Sequence, residues 1–549
     1  MSSTVALPDF HPLRARGFQP LWLMVVLAAV SAPALYAAFP PLEVWQLAWV
    51  ALVPLMLALS QLRPTQGLLA GWLFGAVFMA CLNAYMGIYG VMPVLLGALF
   101  WGLFYGLFGA CVSALAPLPS PALRVGATAA LWALAELARG HAGPLAYTFG
   151  LTGYTQHEML PILQLASLVG GYGIGFLIAL INAGLATLVL AFLPPSWYHP
   201  LMPRAHFTRM SGRALLAAYV LLFIVYGWGA LVIRSAPEPG GENVLTAGVA
   251  QGNVSVNMHA APRPGGVVDE IHEGIDRYMR LSKSMSGNVN LIVWPETAIG
   301  LDLRKNTETQ QQLAALARSR DAHLIVGALE VQDGNVYNSA YHYAPDGTLQ
   351  SVYRKMDLVI FGEYVPMRGK WKWIERYPIR SFDFAAGSGR QVMPVNGVKV
   401  GPMICFEAIF PRPGREIAAR GAEVLVVLNS DAWANRSVEL LYNSRTAPLR
   451  AAEARKYLVR AASTGISGIF DPYGRPVATV AANAEGTATA TIAPRKGLSA
   501  YHRWGEFPLL WVCGLLVLIA FVRVRRIAQM EHIGRSSVFA GPTEPGREA

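Results

Sequence analysis

Three strand-like runs end in groups that can do chemistry. Glu296 closes "LIVWPE", Lys355 closes "LQSVYRK" and Cys405 closes "VGPMIC". Strand ends are where α/β folds collect reactive side chains. Of the 4 cysteines, Cys81, Cys111 and Cys513 fall in long apolar runs, which leaves Cys405 alone in a polar context. An isolated free cysteine is ordinarily an inert core residue, and with a reference pKa of about 8.5 its thiol is mostly protonated at neutral pH. It becomes a nucleophile only with help. Glu296, if close, would take its proton, and Lys355 would stabilise both the thiolate and a developing oxyanion. No histidine is near these residues in sequence, and the 11 histidines show no metal-ligand spacing. No metal and no cofactor are expected.

The surrounding chain consists of two materials. Of 549 residues, 54% are hydrophobic and 14% charged, against about 25% charged in a soluble protein. Long apolar runs fill the first 235 residues and return near the end. With about 20 residues needed per span, eight are expected: 19–38, 42–61, 68–91, 94–116, 122–140, 161–193, 214–234 and 505–523. Residues 1–234 read as a membrane domain of seven helices, 235–504 as a soluble catalytic domain, 505–526 as an eighth helix and 527–549 as a tail. Glu136 and Arg139, one helical turn apart in the fifth span, read as a local ion pair or as a functional intramembrane pair.

The short-loop basic residues set the orientation. Arg14, Arg16, Arg63, Arg124, Arg204, Arg209, Arg213, Arg523, Arg525 and Arg526 fall on one side if the spans number eight. Both termini are then cytoplasmic and 235–504 lies outside. The same placement explains much of the +11 net charge. No basic stripe is interleaved with aromatics, so nucleic acid is not an expected partner.

Strand and helix patterns alternate from residue 244 on. Strands are expected at 244–253, 289–296, 323–330, 398–407 and 422–431, with a hairpin about Pro345-Asp346-Gly347. Helices are expected near 267–284, 306–319 and 414–420, and a long one up to about 456. Many strands are continuously apolar, which indicates sheets covered on both faces.

Four motifs carry a resemblance: "WPET" (294–297), "YRKMDLVIFGEYVP" (353–366), "ICFE" (404–407) and "LNSDAW" (428–433). They resemble the nitrilase superfamily and, given the spans, its apolipoprotein N-acyltransferase family in bacterial inner membranes. The resemblance covers nearly the whole chain. It implies an α-β-β-α sandwich on a multi-pass helical domain, with the sandwich on the periplasmic side. It assigns Glu296 as general base, Lys355 as oxyanion-stabilising cation and Cys405 as nucleophile. It adds Glu363, Tyr364, Phe406, Glu407 and Trp433 as supporting residues; a structural ion pair or hydrogen bond is the plainer role for Glu363 and Glu407.

The implied reaction moves an acyl chain from a phospholipid through a Cys405 thioester to the α-amino group of an S-diacylglyceryl-cysteine apolipoprotein, in a monomer. Apolar loops at 359–375 and 432–445 are expected to reach toward lipid, with Trp371 and Trp373 between Lys370 and Lys372 suited to an interface. The chain departs from the family pattern at Ile360, at Phe406 (commonly Tyr) and after Trp433, where Phe-Gly and a later Gly-Pro-x-x-His are missing. A membrane-tethered amidase, an N-acyltransferase with a different amine acceptor and a non-catalytic scaffold remain the alternatives.

Overall fold

The structure is a computed structural model that describes residues 19–194, 197, 203–238, 240, 243–254, 266–368, 370, 382–432 and 437–539. Arg14, Arg16, Trp371, Lys372, Trp373, Trp433 and the end of the tail lie outside those residues.

The first half is helical: α1 (Leu21–Tyr36), α2 (Val53–Gln61), α3 (Pro64–Leu82), α4 (Val91–Ala114), α5 (Pro121–Gly140), α6 (Leu160–Leu163), α7 (Ala166–Phe192) and α8 (Arg204–Arg234). The catalytic domain follows as β1 (Leu245–Gln251), α9 (Gly266–Ser284), β2 (Leu291–Val293), β3 (Ile299–Asp302), α10 (Thr307–Arg320), β4 (His323–Gln332), β5 (Asn335–Tyr343) and β6 (Leu349–Arg354). It continues through β7 (Met393–Val395), β8 (Val398–Ile404), α11 (Pro411–Ala419), β9 (Val424–Asn429), α12 (Glu439–Ala454), β10 (Leu458–Ala462), β11 (Ser467–Phe470), β12 (Pro476–Val480) and β13 (Gly486–Ile492). Then α13 (Ala500–Trp504) leads into α14 (Phe507–Phe539).

Among the described residues five helices are long and apolar enough to cross a membrane: α3, α4, α7, α8 and α14 over Phe507–Met530. The expected span at 42–61 is in two pieces, a 3-10 turn at Trp45–Trp49 and then α2. Side chains from other helices take up the polar groups freed at the break. Leu52 N–H donates to Asn182 Oδ1 (2.9 Å), Asn182 Nδ2 donates to the Ala48 carbonyl (2.9 Å), and Leu55 N–H donates to Ser31 Oγ (2.9 Å). A broken helix is tolerated at membrane depth when neighbours satisfy its backbone in this way. The α7 helix is likewise interrupted at Gly170, whose φ of 70° suits glycine.

The Glu136–Arg139 ion pair does not form among the described residues. Glu136 Oε1 instead accepts from Thr152 N–H (2.7 Å) and Thr152 Oγ1 (3.0 Å), while Arg139 Nη1 donates to the Phe149 carbonyl (2.5 Å). The two buried side chains hold the 148–152 loop rather than each other.

In the catalytic domain the strand alternation of period 2 builds two sheets face to face. One is seven-stranded, ordered β13-β1-β2-β4-β5-β6 with β3 beside β4; the other is six-stranded, ordered β12-β11-β10-β9-β8-β7. Leu291, Val293, Val424, Val426 and Leu428 face inward into one shared core. Their neighbours point outward: Ile292 and Trp294 to the α9–α10 layer, Leu425 and Val427 to the α11–α12 layer. The β1-β2-β4 and β8-β9-β10 sets are parallel, so their carboxyl ends collect on one rim.

Candidate active site

Each site residue sits just past a strand, where the chain turns. Trp294 is fully buried, stacks on Tyr278 with 5.2 Å between ring centroids, and donates from Nε1 to Ser282 Oγ (2.8 Å). That anchors the "WPE" corner to α9. Pro295 has no N–H to continue the ladder, so β2 stops at Val293 and Glu296 lies three residues beyond it. Gly327 on β4 allows the corner to approach, because a Cβ there would lie 2.6 Å from the Glu296 Cα. Cys405 follows β8 and has a φ of 50°, a left-handed conformation that is uncommon for a residue with a Cβ and recurs at functional turns.

The charged groups form one buried assembly. Lys355 is 1% exposed and its Nζ lies 2.9 Å from Glu363 Oε1 and 3.3 Å from Glu296 Oε1. Asn338 on β5 donates from Nδ2 to both carboxylates, at 2.6 Å to Glu296 Oε1 and 3.2 Å to Glu363 Oε1. The far oxygens are held by backbone: Ser430 N–H to Glu296 Oε2 and Val359 N–H to Glu363 Oε2, each 2.8 Å. Burial alone would lower the Lys355 ammonium, but Glu296, then Glu363 and Cys405, outweigh it and hold it above the ordinary lysine value. Burial, and then the Glu296 charge, push the Cys405 thiol well above its usual value, opposed by Lys355. Both directions favour a protonated thiol beside a Lys355 ammonium. Glu296 and Lys355 thus act on the thiol in opposite directions, the carboxyl disfavouring the thiolate and the ammonium favouring it.

Glu407 braces this assembly from behind. Fully buried, it accepts at Oε1 from Tyr353 Oη (2.7 Å), Arg390 Nη1 (2.9 Å) and Met356 N–H (2.9 Å), and at Oε2 from Ile404 N–H (2.7 Å). It ties the backbone before Cys405 to the backbone after Lys355. Phe406 meets Phe410 edge-on at 5.0 Å and packs against the helical domain's core, so it belongs to the seam between domains. Tyr364 accepts at its carbonyl from Phe361 N–H (2.8 Å), closing the turn that presents Glu363. Phe361 and Met367 in that segment are exposed, as is Lys370. Trp433 lies outside the described residues. Among the described residues no cluster suited to a metal ion is found.

Asn338 and Arg390 were not foreseen. A polar residue in the middle of an otherwise buried strand was the signal for Asn338 in "VYNSAYHY". Arg390 gives no such signal, since it reaches Glu407 from a segment without regular structure.

Two family models match the two parts of this architecture. The carbon-nitrogen hydrolase family matches residues 246–499, and the apolipoprotein N-acyltransferase N-terminal domain matches residues 31–184. An apolipoprotein N-acyltransferase of Geobacter metallireducens is 29% identical over 92% of this chain and 95% of its own. One from Bradyrhizobium diazoefficiens is 31% identical over 74% of this chain and 74% of its own. Among solved structures, a mutant amidase of Nesterenkonia from the nitrilase superfamily aligns with 49% of this chain and 95% of its own, at 16% identity and a TM-score of 0.36. With a nitrilase-type sandwich on a membrane-embedded helical domain and relatives alike along most of their length, this chain belongs to the apolipoprotein N-acyltransferase family.

Proposed function

We propose that this chain completes lipoprotein maturation by moving an acyl chain from a phospholipid to the α-amino group of an S-diacylglyceryl-cysteine apolipoprotein. Cys405 Sγ attacks the ester carbonyl as Glu296 takes the thiol proton. Lys355 stabilises the oxyanion. Collapse releases the lyso-phospholipid, whose alkoxide recovers the proton from Glu296, and leaves a thioester. The amine then attacks, gives its proton to Glu296, and the amide departs as the thiol re-forms. Splitting the transfer in two is the gain from covalent catalysis.

The observation that carries this reading is the Lys355 ammonium held between Glu296 and Glu363 beside a buried thiol, at the rim that meets the membrane helices. Ile409, four residues after Cys405, packs in the helical domain's core, and its carbonyl accepts from Thr148 Oγ1 (2.9 Å) and Tyr154 Oη (2.8 Å).

Our reading is of a monomer in the bacterial inner membrane, with the catalytic domain periplasmic and both termini cytoplasmic. Arg124 donates to the Leu118 carbonyl in the loop after α4 (2.6 Å) and Arg204 to the Ala191 carbonyl at the end of α7 (3.1 Å); short-loop arginines of this kind favour the cytoplasmic side, which supports that orientation. Incubation with phosphatidylethanolamine and a diacylglyceryl-cysteine peptide tests the reading. N-acylated peptide and lyso-phospholipid in equal amounts are expected. Hydrolysis of a small amide without peptide acylation would replace the reading with an amidase.

A further inference from the structure

The reaction needs a place for a primary amine, and one buried carboxylate near the site has an oxygen with no partner among the described residues. Glu439 opens α12 and is 1% exposed. Asn443 Nδ2 donates to its Oε1 and also to Asp431 Oδ1 (3.1 Å). Asp431 further accepts from Asn429 Nδ2 and, at Oδ2, from Arg460 Nη2 (3.3 Å). The Arg460 guanidinium is thus bonded to Asp431 and acts on Glu439 only electrostatically. Glu439 Oε2 has no hydrogen-bond partner among the described residues, and neither does Asn429 Oδ1. An unpaired buried acceptor is expensive unless something arrives to use it.

Its position is informative. Asp431 follows Ser430, whose N–H holds Glu296 at 2.8 Å. On the other side, Glu439 is in electrostatic reach of Tyr85 and Tyr147 from the helical domain. Tyr442, on the same face of α12, meets Tyr85 edge-on at 6.2 Å and donates to the Pro40 carbonyl (3.1 Å). Glu439 therefore lies at the seam between the Glu296 assembly and the membrane helices.

We propose that Glu439 is the amine-recognition residue of this site, its Oε2 receiving an N–H of a primary ammonium on a membrane-anchored substrate. This rests on the acyltransferase reading above. Burial, and then Asp431, push the Glu439 carboxyl well above the carboxylate range, which favours its protonated form. An amine that takes this proton, or an ammonium that displaces it to solvent, gives the same carboxylate–ammonium pair; for the acceptor, one proton returns to Glu439 before the freed amine attacks the thioester. Two substrates carry such a group: the acceptor, at its α-amino nitrogen, and an ethanolamine phospholipid, at its head group.

The test separates them by binding alone, in a Cys405→Ser background that cannot turn over. The probes are a diacylglyceryl-cysteine peptide against its N-acetylated form, and phosphatidylethanolamine against phosphatidylglycerol. Glu439→Gln is expected to weaken the free-amine peptide about tenfold and leave the acetylated one within about twofold, as loss of a charge-assisted hydrogen bond does. Loss of the phosphatidylethanolamine preference instead would assign the site to the donor. Glu439→Asp should restore part of whichever preference is lost, which a merely structural role would not produce. The proposal is overturned if Glu439→Gln, folded by its melting temperature, changes neither preference. Failure of the acyltransferase reading shows separately, as a wild-type chain that forms no Cys405 thioester with either lipid.

Discussion

At the residue scale, Glu296 has two effects on Cys405 that pull in opposite directions. Its charge raises the thiol's pKa, yet in the proposed mechanism it is the group that removes the proton. Glu296→Gln should therefore lower the thiol's pKa, with Lys355 left to favour the thiolate, and still abolish acylation. Iodoacetamide alkylation rates against pH would show the alkylation curve moving to lower pH while acyl transfer disappears. Asn338 holds both carboxylates. Removing a hydrogen bond to a charged group costs about 1.5–3 kcal/mol, so Asn338→Ala should lower kcat about 10–100-fold, measured with saturating lipid.

Elements set how firmly that geometry is held. Glu407 pairs with Arg390 in the core, both nearly fully buried. Breaking a buried pair from one side costs about 3–5 kcal/mol, so Glu407→Ala should lower the thermal midpoint markedly and reduce acylation with it. Far from the site, His323 Nδ1 and His342 Nε2 meet at 3.0 Å where β4 begins and β5 ends. Burial, and then His323, push His342 down to about 4. The unfolded imidazole, near 6.5, binds a proton that the folded one refuses. Stability from this group is full above pH about 6.5 and falls as pH drops toward 4. Thermal melts across that range should show the loss, and His342→Gln should flatten it.

The strands were legible in the sequence because alternation and apolar runs report burial directly; the 291–293 and 424–429 segments lie inside their expected ranges. Their exact ends were not legible, since Glu296 and Cys405 sit in turns made by Pro295 and by a left-handed φ that hydropathy does not record. The break before α2 was hidden for a related reason. Its polar groups are satisfied by Asn182 and Ser31, remote in sequence.

For the whole molecule, the catalytic rim is docked on the helices by specific polar contacts as well as apolar packing. Arg445 Nε reaches Glu43 Oε1 (2.7 Å), and Gly171 N–H, just after the interruption of α7, donates to Glu453 Oε1 (3.0 Å). The Thr148 and Tyr154 hydroxyls grip Ile409. Each such bond is worth about 1 kcal/mol. The double variant Thr148→Val, Tyr154→Phe should lose about tenfold in kcat/KM toward bilayer phospholipid while reaction with a short soluble ester is preserved.

The central claim is that Cys405 carries the acyl group. Intact-mass spectrometry of the protein after incubation with phosphatidylethanolamine tests it most directly. One acyl chain should add per molecule, be released by hydroxylamine, map to Cys405 and be absent in Cys405→Ala. An unmodified Cys405 in a protein that still acylates the peptide would contradict the account.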